Sequence, residues 1–228
     1  MMKLSEIDKN EAARYMGVRG APDEKVWELL DRYETVLCER LRPAYVYRET
    51  AVTCTDKGVM LSGVNAPLTG NSIREHLRDC QRAVILAATV SAEADKLIRQ
   101  TSVTDMAAAL AVDCLCSAAI EQVCDRAEDE IFSVIQAPFR TWRFSPGYGD
   151  LPIALQKELL LALNAQRRIG LTATENSLLV PSKSVTAIIG ISDIEVHGKK
   201  SGCGSCNMAG RCRYIQKDGC GMSEKQHY

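Results

Sequence analysis

The chain predicts an α+β fold: a mixed, mainly antiparallel sheet packed with long helices. Three observations carry this. Residues 44–54 and 58–64 are rich in β-branched and aromatic types and are separated by Thr55-Asp56-Lys57-Gly58, which reads as a hairpin of two antiparallel strands. Residues 83–90 are a continuous apolar run suited to a buried, central strand. Residues 105 to about 135 are Ala-rich and read as one long helix or a pair. Antiparallel pairs and long helices do not alternate regularly, which disfavours a doubly wound sheet.

The remaining elements follow in order. Residues 4–15 and 22–41 read as two helices, the second with Val26, Leu29, Leu30, Tyr33, Val36 and Leu37 at helical spacing after a Pro-Asp-Glu start. Beyond the hairpin, Asn71-Ser72 starts a short helix through Leu77, and residues 91–100 form a helix with an acidic first turn. Small residues such as Ala107, Ala108, Ala111, Ala118 and Ala119 let the long helix pack closely against a sheet. A short strand at 140–144, a helix at 155–163 after Pro152 and an apolar strand at 184–193 complete the pattern. There is no internal repeat and no low-complexity linker before about His197, so the expected division is a domain over 1–196 and a Cys-rich C-terminal tail over 197–228.

At 228 residues and 46% hydrophobic content the chain can bury a substantial core without disulfides. Its 28 basic and 29 acidic residues leave a net charge of −1, which gives no electrostatic footprint for nucleic acid. The N-terminus lacks an apolar segment of signal-peptide length, and no run approaches the ~20 apolar residues of a membrane span. The expectation is a cytoplasmic protein with no membrane partner. Reduced thiols follow for the ten cysteines, of which Cys38, Cys54, Cys80, Cys114, Cys116 and Cys124 sit among apolar residues as small core fillers.

Chemistry concentrates in Arg143-Phe144-Ser145-Pro146-Gly147-Tyr148-Gly149-Asp150-Leu151-Pro152. Two prolines and two glycines forbid a regular element and force a shaped turn. Arg143 offers a planar fork for a carboxylate, and Tyr148 a ring face for an adenine or a cationic sulfur. The residues alone leave two readings open, a recognition loop for a small charged ligand and an ordinary Pro-Gly turn with a solvated arginine.

The order Arg143-x-x-x-Gly147-Tyr148, Pro152, Gly170-Leu171-Thr172-Ala173-Thr174-Glu175 and Pro181-Ser182-Lys183-Ser184-Val185 resembles the activation domain of cobalamin-dependent methionine synthase. The resemblance is most specific over about residues 140–193. It implies binding of S-adenosylmethionine and presentation of its methyl group to cobalamin that has decayed to an inactive Co(II) state, with flavodoxin or another donor supplying the electron. By the same resemblance Arg143, Gly147 and Tyr148 contact the ligand, and Asp150 does so through its backbone, with the backbone of Leu151 as the alternative. Glu175 orients loop groups or the ligand amino group, with a plain strand-end carboxylate as the alternative. The family's helix-borne acid is matched to Glu121, which shares a helix face with Asp125, with a solvent-facing acidic patch as the alternative. Residues 191–196 contain no tyrosine where the larger synthase carries an adjacent pair, so no role for such rings transfers.

No Asp-x-His-x-x-Gly pattern is present, so the cobalamin is expected on a partner, a cobalamin-binding methionine synthase chain. No Gly-x-Gly-x-x-Gly or Walker sequence argues for a dinucleotide or nucleotide-driven enzyme. Methyl transfer to so strong a nucleophile needs positioning, so no catalytic side chain is expected here. In the tail, Cys203, Cys206, Cys212 and Cys220 supply four soft ligands that suit zinc or an iron–sulfur cluster, with a redox-active or free Cys-x-x-Cys as the alternative. The second functional reading is therefore a metal-binding assembly or electron-transfer module acting through the tail. His197 and His227 flank it and read as exposed.

Overall fold

Asp8 starts the first helix by accepting the backbone N–H of Glu11 at 3.0 Å. In this computed structural model, which describes residues 2–18 and 20–196, helix α1 is therefore Lys9–Tyr15, shorter than the 4–15 expected. Leu4 and Ile7 precede it as buried, non-helical residues. Helix α2 (Glu24–Arg40) is capped in the same way, Asp23 accepting from Val26 N–H at 2.9 Å. The tail cysteines Cys203, Cys206, Cys212 and Cys220 lie outside the described residues.

Strands β1 (Ala44–Thr55) and β2 (Gly58–Leu61) form the expected hairpin, with Val52 opposite Leu61 and Thr55 opposite Gly58. Helix α3 (Asn71–His76) and strand β3 (Arg82–Thr89) follow, then helices α4 (Ala92–Thr104) and α5 (Met106–Val134). The Ala-rich segment is thus one unbroken helix. Asp105 begins it by accepting from the N–H groups of Ala107 and Ala108 at 2.9 and 3.1 Å.

Strand β4 is reduced to Phe139–Arg140, followed by helix α6 (Leu155–Leu163) and by three short elements the sequence pattern did not announce. These are helix α7 (Ala165–Ile169) and the antiparallel pair β5 (Thr172–Ala173) and β6 (Leu179–Val180). Each is too short to show a period. Strand β7 (Ser184–Ser192) is buried along most of its length.

The main sheet has the order β2-β1-β3-β7-β4, so β3 is central as its uniform apolarity predicted. Both inner pairings run antiparallel. Arg42 N–H donates to Val90 O and Val52 N–H to Gln81 O between β1 and β3, while Val90 N–H donates to Lys183 O and Gln81 N–H to Ile191 O between β3 and β7. The α+β class, with its antiparallel sheet and long helices, holds.

The chain forms two compact units interleaved in sequence. The first comprises Met1–Arg48, Ile85–Gln136 and Gln156–Thr186. In it α5 packs against α1, α2 and α4, and Ala108, Ala111, Ala118 and Ala119 bring those backbones close while Leu30, Leu37 and Leu115 fill the space between them. Helix α5 has the length and apolarity of a membrane span, yet most of it is buried inside the protein, as in the core helix of a globular unit. The second unit comprises Glu49–Val84, Ala137–Leu155 and, among the described residues, those from Ala187 to Val196. It holds the outer hairpin, α3, β4 and the loop that follows β4.

Candidate functional site: the loop after β4

The loop is built on the edge of β7. Thr141 replaces a ladder partner with its side chain: its N–H donates to Gly190 O at 3.0 Å while its Oγ1 accepts from Gly190 N–H at 2.7 Å. Regular pairing therefore stops at Arg140, and one isolated bridge remains beyond it, where Phe144 and Ile188 exchange N–H···O bonds of 3.0 and 2.8 Å. The strand expected over 140–144 is this interrupted edge. Buried Phe144 fixes where the loop leaves the sheet.

From there the chain folds on itself. Tyr148 N–H donates to Ser145 O, Leu151 N–H to Tyr148 O, and Gly147 N–H to Leu151 O, at 2.9 to 3.0 Å. Gly147 has φ +93° and Gly149 +56°, and a Cβ added to Gly149 would lie 2.4 Å from Ser72 Oγ, so a close approach as well as the backbone angle calls for glycine there. Asp150 turns its carboxylate onto the first turn of α3, accepting from Asn71 N–H at 2.7 Å and Ser72 N–H at 2.9 Å. The backbone amides of Ser72 and then Asn71 hold its pKa below the usual carboxylate range.

An aromatic cluster leads from the interior to the surface. His76 packs against Phe144 and Trp142 with ring centroids 4.8 and 5.2 Å away, and its Nε2 lies 2.8 Å from Thr141 Oγ1. Trp142 is stacked with Tyr148 at 6.1 Å and 29°, and Phe144 meets Tyr148 edge-on at 6.0 Å. Burial pushes the His76 pKa down to about 4, against the partial opposition of hydrogen bonds with the backbone of Ile188 and Trp142, so the ring is neutral at pH 7. Tyr148 remains 51% exposed. An outward-facing phenol on a fixed platform can stack on a planar ligand, and half-buried Arg143 in the same loop can pair with a carboxylate.

Arg143, Gly147, Tyr148 and Asp150 thus share one loop of the second unit. Glu121 and Glu175 belong to the first unit. Glu121 is half-buried on α5, and its charge joins burial and the Glu11 hydrogen bond in raising the Tyr15 pKa. Asp125 follows it one turn on along the same unbroken helix. Glu175 is exposed in the β5–β6 turn, where its backbone carbonyl accepts from Lys157 Nζ at 3.1 Å. His76 and Ser72 carried no sequence signal for a place at the loop, because nothing in residues 71–76 resembles a site, and Trp142 lies just outside the Arg143–Tyr148 motif.

The Pro181-Ser182-Lys183-Ser184-Val185 block has a structural task in the first unit. Ser182 binds Asp95 through both its N–H, at 3.0 Å, and its hydroxyl. Lys183 Nζ reaches Asp113 at 2.9 Å and Ser117 Oγ at 2.8 Å, and Ser184 Oγ binds Thr89 Oγ1 at 2.8 Å. The turn is thereby tied to β3, α4 and α5. Lys183→Ala is expected to lower the free energy of unfolding by about 1 kcal/mol, since it removes the ammonium's bonds to Ser117 and Asp113 while the half-exposed Asp113 carboxylate returns to water. Urea denaturation checks this, and an unchanged midpoint would refute it.

Cys80, Cys114, Cys116 and Cys124 are buried as expected of core fillers, and Cys38 is partly so. Cys54 departs from the expectation: it is exposed on β1, whose outer half alternates toward solvent. Burial pushes the thiols of Cys80 and Cys114 up to about 11 and that of Cys116 to about 12, so none is a thiolate nucleophile. No cluster of three or more His, Cys, Asp or Glu residues suited to a metal occurs among the described residues.

No curated protein matches the chain by sequence. Among solved structures it is similar to the crystal structure of the MetH reactivation domain bound to AdoHcy, at 14% identity and a TM-score of 0.65, with 86% of this chain and 76% of that one covered. At that identity the likeness shows the fold. The family model described as the vitamin B12-dependent methionine synthase activation domain matches residues 83–196, a stretch that contains the loop, the aromatic platform from Trp142 onward and the Ser182–Lys183 turn, and the chain belongs to that family.

Proposed function

We propose that this chain binds S-adenosylmethionine at the 143–150 loop and presents its methyl group to cobalamin carried by a partner, a cobalamin-binding methionine synthase chain, as the reductive reactivation step. The observation that carries the reading is the loop itself, which lies within the family match and holds Arg143 and Tyr148 together on a rigid base. The donor set fits the ligand. Arg143 takes the amino-acid carboxylate as a planar fork, and the exposed face of Tyr148 takes the adenine or the sulfonium. The AdoHcy held by the structurally similar MetH reactivation domain is the demethylated form of the same molecule, which supports the assignment.

S-Adenosylmethionine supplies an electrophilic methyl on a cationic sulfur. This chain's residues bind and orient it, and the buried thiols and neutral His76 provide neither nucleophile nor base. The gain is in alignment, because a sulfonium carbon held in line with its acceptor reacts without acid–base help. The electron comes from flavodoxin or an equivalent donor.

Equilibrium dialysis of S-adenosylmethionine against the full chain tests the reading, with and without a cobalamin-loaded synthase lacking its own activation domain. Saturable binding together with recovery of synthase activity is the expected result. No binding in either arm would refute it and favour the second reading, metal or iron–sulfur chemistry in the tail, which rests on four cysteines within the last 26 residues. For that reading the expected outcome is one zinc per chain, or visible absorption from a cluster, in anaerobically purified protein. Replacing Cys203 and Cys206 by serine should abolish either signal.

A further inference from the structure

We infer that α3, which contributes no residue to the family's motif blocks, is the template that sets the loop's binding conformation, and that Asp150 is a positioning residue acting through it. The inference rests on the proposed S-adenosylmethionine site and assigns Asp150 a different task from its neighbours Arg143 and Tyr148.

Three contacts, one at each end of α3 and one between, hold the loop. At the N-terminal end both oxygens of Asp150 are used, one by Asn71 N–H and one by Ser72 N–H. These amides have no partner within their own helix, since Gly70 at the cap position offers no side chain. Next to them Ser72 fills the space that a side chain on residue 149 would need. At the C-terminal end buried His76 packs on Phe144 and Trp142 and meets Thr141, which are the residues that aim the chain into the loop. Arg143, Tyr148 and the turn between them are therefore suspended between two fixed points on one rigid helix. A carboxylate with both oxygens engaged on backbone amides is poorly placed to serve as a ligand contact as well. Its energetic role is to settle the loop before the ligand arrives, so that binding does not have to order it.

The test uses the full chain in a Trp27→Phe background, which leaves Trp142 as its one tryptophan. S-Adenosylhomocysteine is the probe, titrated with and without the cobalamin-loaded partner, and Trp142 emission reports the Tyr148 stack in the free protein. Asp150→Ala is expected to weaken probe binding about tenfold and Asp150→Asn, which keeps one acceptor, by less. Both should alter Trp142 emission before any ligand is added, which a ligand-contacting side chain would not do. Gly149→Ala should weaken binding by a similar factor by pressing on Ser72. Adding Ser72→Gly should restore the part of the loss due to that contact, leaving the part due to the positive φ of residue 149, and such partial rescue separates loop positioning from a general loss of stability. Wild-type affinity and emission in Asp150→Ala, or no rescue of Gly149→Ala by Ser72→Gly, would overturn the inference while leaving the site reading intact. Absence of probe binding by the unsubstituted chain in both arms would overturn the site reading and the inference with it.

Discussion

Arg143→Ala is expected to weaken S-adenosylmethionine binding by about 100-fold and to abolish reactivation of the partner synthase, with the fold unchanged. A guanidinium–carboxylate pair is charge-assisted and bidentate, and its removal typically costs about 3 kcal/mol, a factor of about 100 in Kd. Reactivation should fall further than binding, because a ligand held without its carboxylate anchor also loses alignment. Arg143→Lys separates charge from geometry: a point charge restores attraction without the fork, so binding should recover in part and reactivation less. Arg143 is half-buried beside an edge strand, not in the core, so circular dichroism and the thermal midpoint should stay close to wild type. Normal reactivation by Arg143→Ala would move the ligand away from this loop.

The second large effect is a loss of stability on mild acidification, centred on His76. Burial lowers its folded-state pKa from 6.5 to about 4, so between those values the unfolded chain binds the proton and the folded chain does not. The contribution of the neutral ring is therefore complete above about pH 6.5 and is lost as pH falls toward 4. At about 1.4 kcal/mol per pH unit the total is on the order of 3 kcal/mol. His76 is the one histidine among the described residues, and the carboxylates with lowered values, Glu11 and Asp150, begin to lose stability only near their ordinary values of 4.5 and 3.8, at the acid end of the range. His76→Gln should lower the stability plateau at pH 7 but flatten the curve between pH 6.5 and 4. An equally steep curve in that variant, measured by urea denaturation across the range, would show that another group is responsible. Since the folded ring stays neutral down to about pH 4, its packing on Phe144 and Trp142, and with it ligand affinity, should hold across this interval and fall only near pH 4.

Where a residue type forces its own backbone, the sequence was enough. Asp23 and Asp105 start helices, Pro146, Gly147 and Gly149 force a turn, and the unbroken apolarity of β3 marks a central strand, because each effect acts within a few residues. The family blocks at 143–148, 170–175 and 181–185 identified the activation domain for the same reason: they are local strings. The short elements α7, β5 and β6 left no trace, since a period needs more than one turn or two residues to appear.

What only the tertiary structure decided is the division of labour inside those strings. Asp150 read as part of a ligand loop and proves to be the cap of a helix 78 residues earlier in the chain. Lys183 and Ser182 read only as letters of a family block and prove to be joints to Asp113 and Asp95. His76 and Ser72 read only as parts of a short helix and Trp142 as part of a short strand, and they prove to be the base on which Tyr148 rests. The sequence by itself determined the class of fold, the family and the loop, because propensity and motif are short-range. Which residue faces a ligand and which one holds that residue in place depends on partners brought together across the sheet, and no local pattern encodes a contact between positions so far apart.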